Sequence, residues 1–381
     1  MQRIKNLFLA AVLFLFVVLL VVAANVDVQT PQESTSEPLV ATSASEKETQ
    51  GATTSESFLS TEPQQTTTKK QEQTTEPPVS VNMSWGDATT VKADELPVVY
   101  MTKKIDAQSL VAVYKALNVS FAYKKAAVKI STGETGSNYL PAALIKDLVQ
   151  LVNGTIVECN TGYGGERAST AMHYQLAKDH GYTDIADVVI MDEKDTLEIP
   201  VNGGTHLKTN LVGARFSEFD YFVILSHFKG HIMAGYGGAL KNMSIGIASS
   251  VGKRLIHTAG TSRDTIYYDN VDAFLESMAE AAKSVSDALD GKIVYINVMN
   301  NLSVDCDCDS QPAAPTMADI GILASTDPVA LDRACLDLVY AAPDGKDLIE
   351  RVESLNGAHI LTHAEKIGFG SQEYKLVTID D

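Results

Sequence analysis

Cysteine is scarce and spaced wrongly for a cluster. The 381 residues contain four, Cys159, Cys306, Cys308 and Cys335, and none stands in a Cys-x-x-Cys pair. That excludes a disulfide-dense scaffold. It also leaves an iron–sulfur cluster of the ferredoxin kind without support from spacing. Basic charge is short as well. Lys and Arg number 30 against 48 Asp and Glu, for a net charge of −18. A chain this acidic does not invite nucleic acid, so any basic loop inside it stands out. No Walker loop, dinucleotide fingerprint or internal repeat occurs.

One long apolar run is present. Residues 7–24 are unbroken apolar behind Arg3 and Lys5, the layout of a secretory signal or an N-terminal membrane anchor. Val22-Ala23-Ala24 offers small residues for cleavage. No cysteine stands near for a lipid anchor, and no twin-arginine pair precedes the run, so export in the unfolded state is expected. Residues 25–82 follow, rich in Thr, Ser, Glu, Gln and Pro. Such a tract cannot bury enough apolar surface to offset its ordering entropy and is expected to be a disordered stalk. The charge divides as +2 over residues 1–24, −6 over 25–80 and −14 beyond. The expected location is extracytoplasmic, secreted or tethered. The expected partners are the membrane, through residues 7–24, and a small-molecule ligand.

From residue 83 the pattern alternates between strand-like and helix-like segments. Residues 97–101, 126–130, 154–159, 186–191, 220–226, 292–299, 319–324 and 373–379 read as strands. Residues 139–152, 166–180 and 270–289 read as helices, the first with Leu140, Leu144, Leu148 and Leu151 on one face. Asp327-Pro328 predicts an N-cap with proline in the first turn, opening a helix to residue 340. Strands separated by helices predict an α/β fold with a mainly parallel sheet flanked by helices. Its length suggests two lobes with the site in the cleft between them.

Three segments could carry chemistry. The densest, Ser226-His227-Phe228-Lys229-Gly230-His231-Ile232-Met233-Ala234-Gly235-Tyr236-Gly237-Gly238-Ala239-Leu240-Lys241-Asn242, packs two histidines, two lysines and four glycines behind a strand. His257 follows 16 residues after Lys241. Histidine offers metal ligation or proton transfer near neutral pH, and a desolvated lysine can act as a base or attachment point. The second is Cys159-Asn160-Thr161-Gly162-Tyr163-Gly164-Gly165-Glu166-Arg167, which follows a strand and is expected to open a helix. There Thr161, Gly162, Gly164 and Gly165 would let the backbone approach an anion and Arg167 would grip it, with Gly237 and Gly238 adding similar backbone. The third is Asp305-Cys306-Asp307-Cys308-Asp309. Read as extended, its two thiols share one face, half of a metal site, and are too parallel to pair easily. Cys335 falls on the apolar face of the helix from residue 328 and reads as core. Cys159, at a strand end, stays open.

These stretches, with Asp319-Ile320-Gly321-Ile322-Leu323-Ala324-Ser325-Thr326-Asp327-Pro328-Val329-Ala330, resemble the family known as domain of unknown function 362. Some of its members are described as iron–sulfur centre proteins and carry an added ferredoxin module that this chain lacks. A more distant resemblance is to nickel-pincer lactate racemases, whose order of His, Ala-Gly-aromatic-x-Gly-Gly-x-Lys and His matches His231, Ala234-Gly235-Tyr236-Gly237-Gly238-Ala239-Leu240-Lys241 and His257. It departs by the extra Leu240. The resemblance implies His231 as acid/base, Lys241 as cofactor or substrate lysine and His257 as metal ligand, with Asp192 where a partner base would fall. Lys229 joins the catalytic set, and His227, Cys306 and Cys308 the metal set. The expected cofactor is a transition metal, nickel, zinc or iron. The expected function is proton transfer on a small carboxylate- or phosphate-bearing molecule, as in an isomerase. The alternatives are a non-catalytic metal- or ligand-binding surface protein built on Asp305 to Asp309, and an iron–sulfur electron carrier.

Overall fold

Tyr221-Phe222-Val223-Ile224-Leu225 is apolar at every position, as a strand covered on both faces requires. A computed structural model of the chain describes residues 96–380 and places this run in an eight-stranded sheet. The sheet strands are β1 (Val98–Thr102), β2 (Ala126–Lys129), β3 (Gly154–Glu158), β4 (Val188–Ile190), β7 (Tyr221–His227), β10 (Ile293–Met299), β11 (Gly321–Ser325) and β12 (Lys375–Thr378). Their order is β12-β1-β11-β10-β7-β2-β3-β4. Every pairing is parallel except the two made by β11, with β1 and with β10. The expected α/β class and mainly parallel sheet hold. The expected leader over 1–24, the stalk over 25–82 and the start of the α/β domain at residue 83 lie outside the described residues. No helix among the described residues is long and apolar enough to cross a membrane.

Side-chain alternation along β7 divides the core in two. Tyr221, Val223 and Leu225 pack on one face with Leu110 and Val113 of α1 (Ala107–Ala116) and with Ile145 and Leu148 of α2 (Ala142–Leu151). Phe222 and Ile224 pack on the other, against α6 (Val271–Ala288) and α7 (Pro328–Ala341), through Phe274, Leu275 and Leu331. Full burial of one such side chain is worth about 1.5–3 kcal/mol, so both layers are held strongly. Cys335 is core, as its helical position implied.

The boundaries shifted where turn chemistry intervened. Pro141 caps α2, so that helix starts after residue 139. Ile145, Leu148 and Val149 form its buried face, whereas Leu151 is 47% exposed. The helix expected from residue 166 is α3 (Thr170–Asp179), because Ser169 accepts the Met172 amide and sets its start. Two small antiparallel hairpins were not foreseen: β5 (Thr196–Pro200) with β6 (Thr209–Gly213), and β8 (Lys229–His231) with β9 (Gly235–Gly237). With one large sheet and two hairpins, the expected pair of lobes is not seen as two separate sheets. The short helices α4 (Ala239–Ser244) and α5 (Ser250–His257) follow β9. Two more, α8 (Lys346–Ser354) and α9 (His359–Lys366), lie between α7 and β12.

Candidate active site

Ligand sites in parallel sheets form beyond the carboxyl ends of the strands. Here β2, β3 and β7 end side by side in Lys129, Glu158 and His227. Lys129 is fully buried, and its Nζ donates to the Ile130 carbonyl (2.6 Å), Glu158 Oε1 (2.9 Å) and Asn242 Oδ1 (2.9 Å). Asn242 also donates from Nδ2 to the Lys129 and Leu225 carbonyls, which bolts α4 to the sheet edge. At the other end of α4, buried Asp332 accepts the amides of Ala239 (2.8 Å) and Leu240 (3.0 Å). Burial pushes the Asp332 carboxyl up to about 6. A side chain on Gly238 would collide with that carboxylate, which is the reason for a glycine there. Gly237 sits under the Lys241 stem, 3.3 Å from where a Cβ would be.

Lys241 is thus held between two anchors, and its own ammonium is free: it makes no hydrogen bond or ion pair with the described residues. Burial first, then the charges of Lys229, Arg167 and Lys129, bring it down to about 7. His231, in β8, is buried, and its Nδ1 accepts the amides of Met233 (3.2 Å) and Ala234 (3.0 Å). A ring nitrogen accepting two N–H groups carries no proton, so the neutral ring bears its proton on Nε2. Burial, with Lys241, His257 and Lys229 nearby, holds His231 well below its usual range. His257 has the opposite tautomer. Its Nδ1–H donates to the Lys253 carbonyl at 2.6 Å, which leaves a lone pair on Nε2, and the ring stacks on Phe274. Burial holds it down at about 4.

The Asp305-to-Asp309 segment is a turn. The Asp309 amide donates to the Cys306 carbonyl, and Cys306 and Cys308 are bonded to each other with their Cα atoms 5.2 Å apart. The expectation that they would not pair assumed an extended strand; the turn brings them together. Gly230 brings this loop to β8. Its amide donates to the Ser303 carbonyl at 2.8 Å, and a Cβ there would strike the Val304 backbone. One ring nitrogen of His231 and the sulfurs of Cys306 and Cys308 all lie within 4.8 Å of one another. The aspartates do not line one face. Asp307 turns inward, pairing with Lys229 Nζ and with His227 Nδ1 at 3.0 Å, while Asp305 meets Arg351 at 3.2 Å. Lys229 and His227 together hold the Asp307 carboxyl well below its usual range, against the cost of its burial.

Several expected roles fall away. His227 has no nitrogen for a metal, since Nε2 faces the Asn300 carbonyl at 2.6 Å and Nδ1 faces Asp307. Lys229 is committed to Asp307 and to the His227 carbonyl. Asp192 is no base: one oxygen accepts the Asn160 amide (2.8 Å), the other the Ser250 amide (2.9 Å), so it clasps the β3 loop to the start of α5. Arg167 is buried and taken up by Glu134 (2.8 Å) and the Tyr163 hydroxyl (3.1 Å). Thr161 Oγ1 donates to the Tyr163 carbonyl, and the Gly162 carbonyl receives Arg254 Nε. Gly164 and Gly165 lie in the connecting loop, six and five residues before α3 begins, and do not belong to its first turn. Cys159 is a buried free thiol donating to the Ile247 carbonyl.

The residues missed were Lys129, Glu158 and Asp332, while Asn242 and Asp307 stood inside segments already singled out but had no individual role there. Lys129 and Glu158 end strands that are otherwise apolar, and Asp332 interrupts the apolar face of α7. A charge at a position whose neighbours demand burial was the available signal.

Residues 126–337 match the family described as Domain of unknown function (DUF362), more than half of the chain. The chain belongs to this family. No curated protein matches it in sequence. Among solved structures, the lactate racemase apoprotein from Thermoanaerobacterium thermosaccharolyticum is similar at 15% identity and a TM-score of 0.38, over 66% of this chain and 59% of that one. A structural-genomics protein from Thermotoga maritima is similar at 13% and 0.34, over 67% and 58%. The chain therefore spans about three fifths of either protein's length. Both likenesses are distant, and neither bears on chemistry. The DUF362 segment begins at β2, ends within α7, and contains Lys241, His231, His257, Cys306 and Cys308.

Proposed function

We propose that the site around Lys241 and His231 moves a proton on a small molecule bearing a carboxylate or phosphate, in the manner of an isomerase or epimerase. The observation that carries the reading is Lys241, an unpartnered amine brought down to about 7 among cations. A base poised near neutral pH suits proton transfer, and because Lys129, Arg167 and Lys229 are already paired with Glu158, Glu134 and Asp307, the charge left for an anionic ligand is that of Lys241 in its protonated form. In this reading Lys241 Nζ takes the proton from the carbon beside the carbonyl. The electron pair left behind moves to the carbonyl oxygen, where the Nε2–H of His231 donates. Return of a proton from Lys241 Nζ to the same carbon completes the exchange, and delivery to the opposite face, as an epimerase needs, would fall to water or a second group. The base is thus Lys241 rather than His231, whose only unprotonated nitrogen is already accepting backbone amides.

Reduced Cys306 and Cys308 offer two sulfurs beside His231, and the ring would complete a donor set that suits zinc, nickel or iron only by giving up the Met233 and Ala234 amides that now hold its one lone pair, and so only in place of its donor role. A metal there would polarise a bound oxygen. The bonded pair must first be reduced, since thiolate is the ligating form. Export remains part of the proposal and rests on residues 7–24; a bonded pair fits an oxidising compartment. The same donor set supports a second reading, a metal-binding protein without catalysis.

The test is incorporation of deuterium from solvent at the carbon next to the carboxylate, in a panel of 2-hydroxy and 2-amino carboxylates and sugar phosphates. Incorporation is expected in the parent protein and about 10²-fold less in Lys241→Met. No incorporation in either protein, or equal rates in both, sinks the proton-transfer reading. Zinc bound by the reduced protein without exchange on any compound would favour the non-catalytic one.

A further inference from the structure

A second set of metal-type side chains gathers where α9 packs on α6. Glu276 and Glu280 stand four residues apart on α6, and His359 and His363 four apart on α9, so each pair lines one helix face. The loop between β5 and β6 adds His206. The Glu276 carboxylate is the focus: Oε2 lies 2.6 Å from His206 Nε2, and Oε1 lies 3.0 Å from His359 Nε2 and 3.5 Å from His363 Nδ1. His363 is 2% exposed, and its Nδ1 makes no hydrogen bond. Its other nitrogen, Nε2, faces Glu280 Oε1 at 3.3 Å. Glu280 is immobilised by the amides of Thr205 (2.7 Å), His206 and Leu207 (2.9 Å).

We infer that this cluster is a second metal site, taking a divalent ion of the zinc class through His206, His359, His363 and Glu276. A carboxylate that receives the far N–H of an imidazole, leaving the near lone pair free, is the usual outer support of a metal-bound histidine. Glu280 does this to His363, and the orphaned buried Nδ1 is the lone pair so presented. His206 and His359 now point Nε2–H at Glu276. Their side chains are 22% and 26% exposed, so water can take the proton of the other tautomer and free Nε2 for the ion. Three imidazole nitrogens and a carboxylate make a tetrahedral set that zinc accepts, whereas calcium and magnesium prefer all-oxygen shells. The ion would tie the 201–208 loop and α9 to α6. It shares no hydrogen bond or ion pair with Lys241, His231 or the cysteines, and the inference does not depend on the function proposed for them.

The experiment uses the full chain, purified without a histidine tag and stripped with chelator, carrying Cys306→Ser and Cys308→Ser to silence the first donor set. One equivalent of zinc is expected to bind and raise the thermal midpoint, and magnesium is expected to leave that midpoint unchanged. Adding His206→Gln and His359→Gln should weaken zinc at least tenfold. Cobalt should give visible d–d bands that those two changes remove. Both histidines are partly exposed, so the fold should survive; if it does not, Glu276→Gln, of the same shape, must show the same tenfold loss. Absence of zinc binding would overturn the inference, leaving only a proton-bridged network of imidazoles and carboxylates. Affinity unchanged by removing His206 and His359 would overturn it equally.

Discussion

Lys241 is the residue on which the active-site reading turns, and its titration has a sign that can be checked. Its folded value of about 7 lies below the ordinary lysine value of about 10.4. Below pH 7 both folded and unfolded chains carry the charge, and the folded one bears the full cost of holding it among cations. Between those values the unfolded chain binds more protons, so stability rises with pH. Lys241→Met should therefore melt above the parent protein at pH 6, and the gap should shrink as pH climbs from 7 towards 10. Thermal midpoints across a pH series decide it; a gap constant with pH would place the ammonium in ordinary solvent. At this scale the sequence was half legible. The density of His and Lys after β7 pointed to the loop that carries His231 and Lys241, and one ring nitrogen of His231 lies within 4.8 Å of the Cys306 and Cys308 sulfurs. It could not separate a free amine from a committed one. Lys229 and Lys241 look alike in sequence, but Asp307, 78 residues further along, neutralises only the first.

At the scale of elements, the site depends on close backbone approach. The β8–β9 hairpin is only three residues on each side, too short for a period-2 pattern to reveal. Its partner is the 303–308 loop, packed on it through Gly230. Gly230→Ala puts a methyl group into the Val304 backbone, which cannot yield as a flexible side chain would. Overpacking of this kind costs about 1–3 kcal/mol. It should also move Cys306 and Cys308 away from His231. Denaturant unfolding should show the loss of stability, and the reduced variant should bind zinc at the His231 set more weakly than the parent does. A variant as stable and as zinc-competent as its parent would mean that the hairpin does not position the loop. The long buried strands and α6, by contrast, were readable because their period extends over many residues. The start of α3 was misplaced because Ser169, a cap outside the periodic run, decides it.

At the scale of the molecule, chain order and sheet order diverge. The first described strand, β1, is an inner strand held between β11 and β12, the latter more than 270 residues away. Local pattern gives no hint of this, since pairing across such a separation depends on the closed fold. The placement predicts how the chain tolerates shortening. A chain beginning at residue 96 retains every described strand and both packed faces, so it should unfold in one cooperative step with a midpoint within about 2 °C of the full chain, about the shift that 1 kcal/mol produces in a domain of this size. A chain beginning at residue 104 loses β1. That strips β12 of its sheet partner, exposes the outer edge of β11 and removes Val99 and Met101 from the core. It also leaves Asp380 without Thr102 and the Lys103 amide. This second chain should aggregate or melt without a sharp transition, and calorimetry of the two distinguishes them. Equal, cooperative melting of both would mean that β1 is dispensable and that the sheet is organised from β10 and β7 outward.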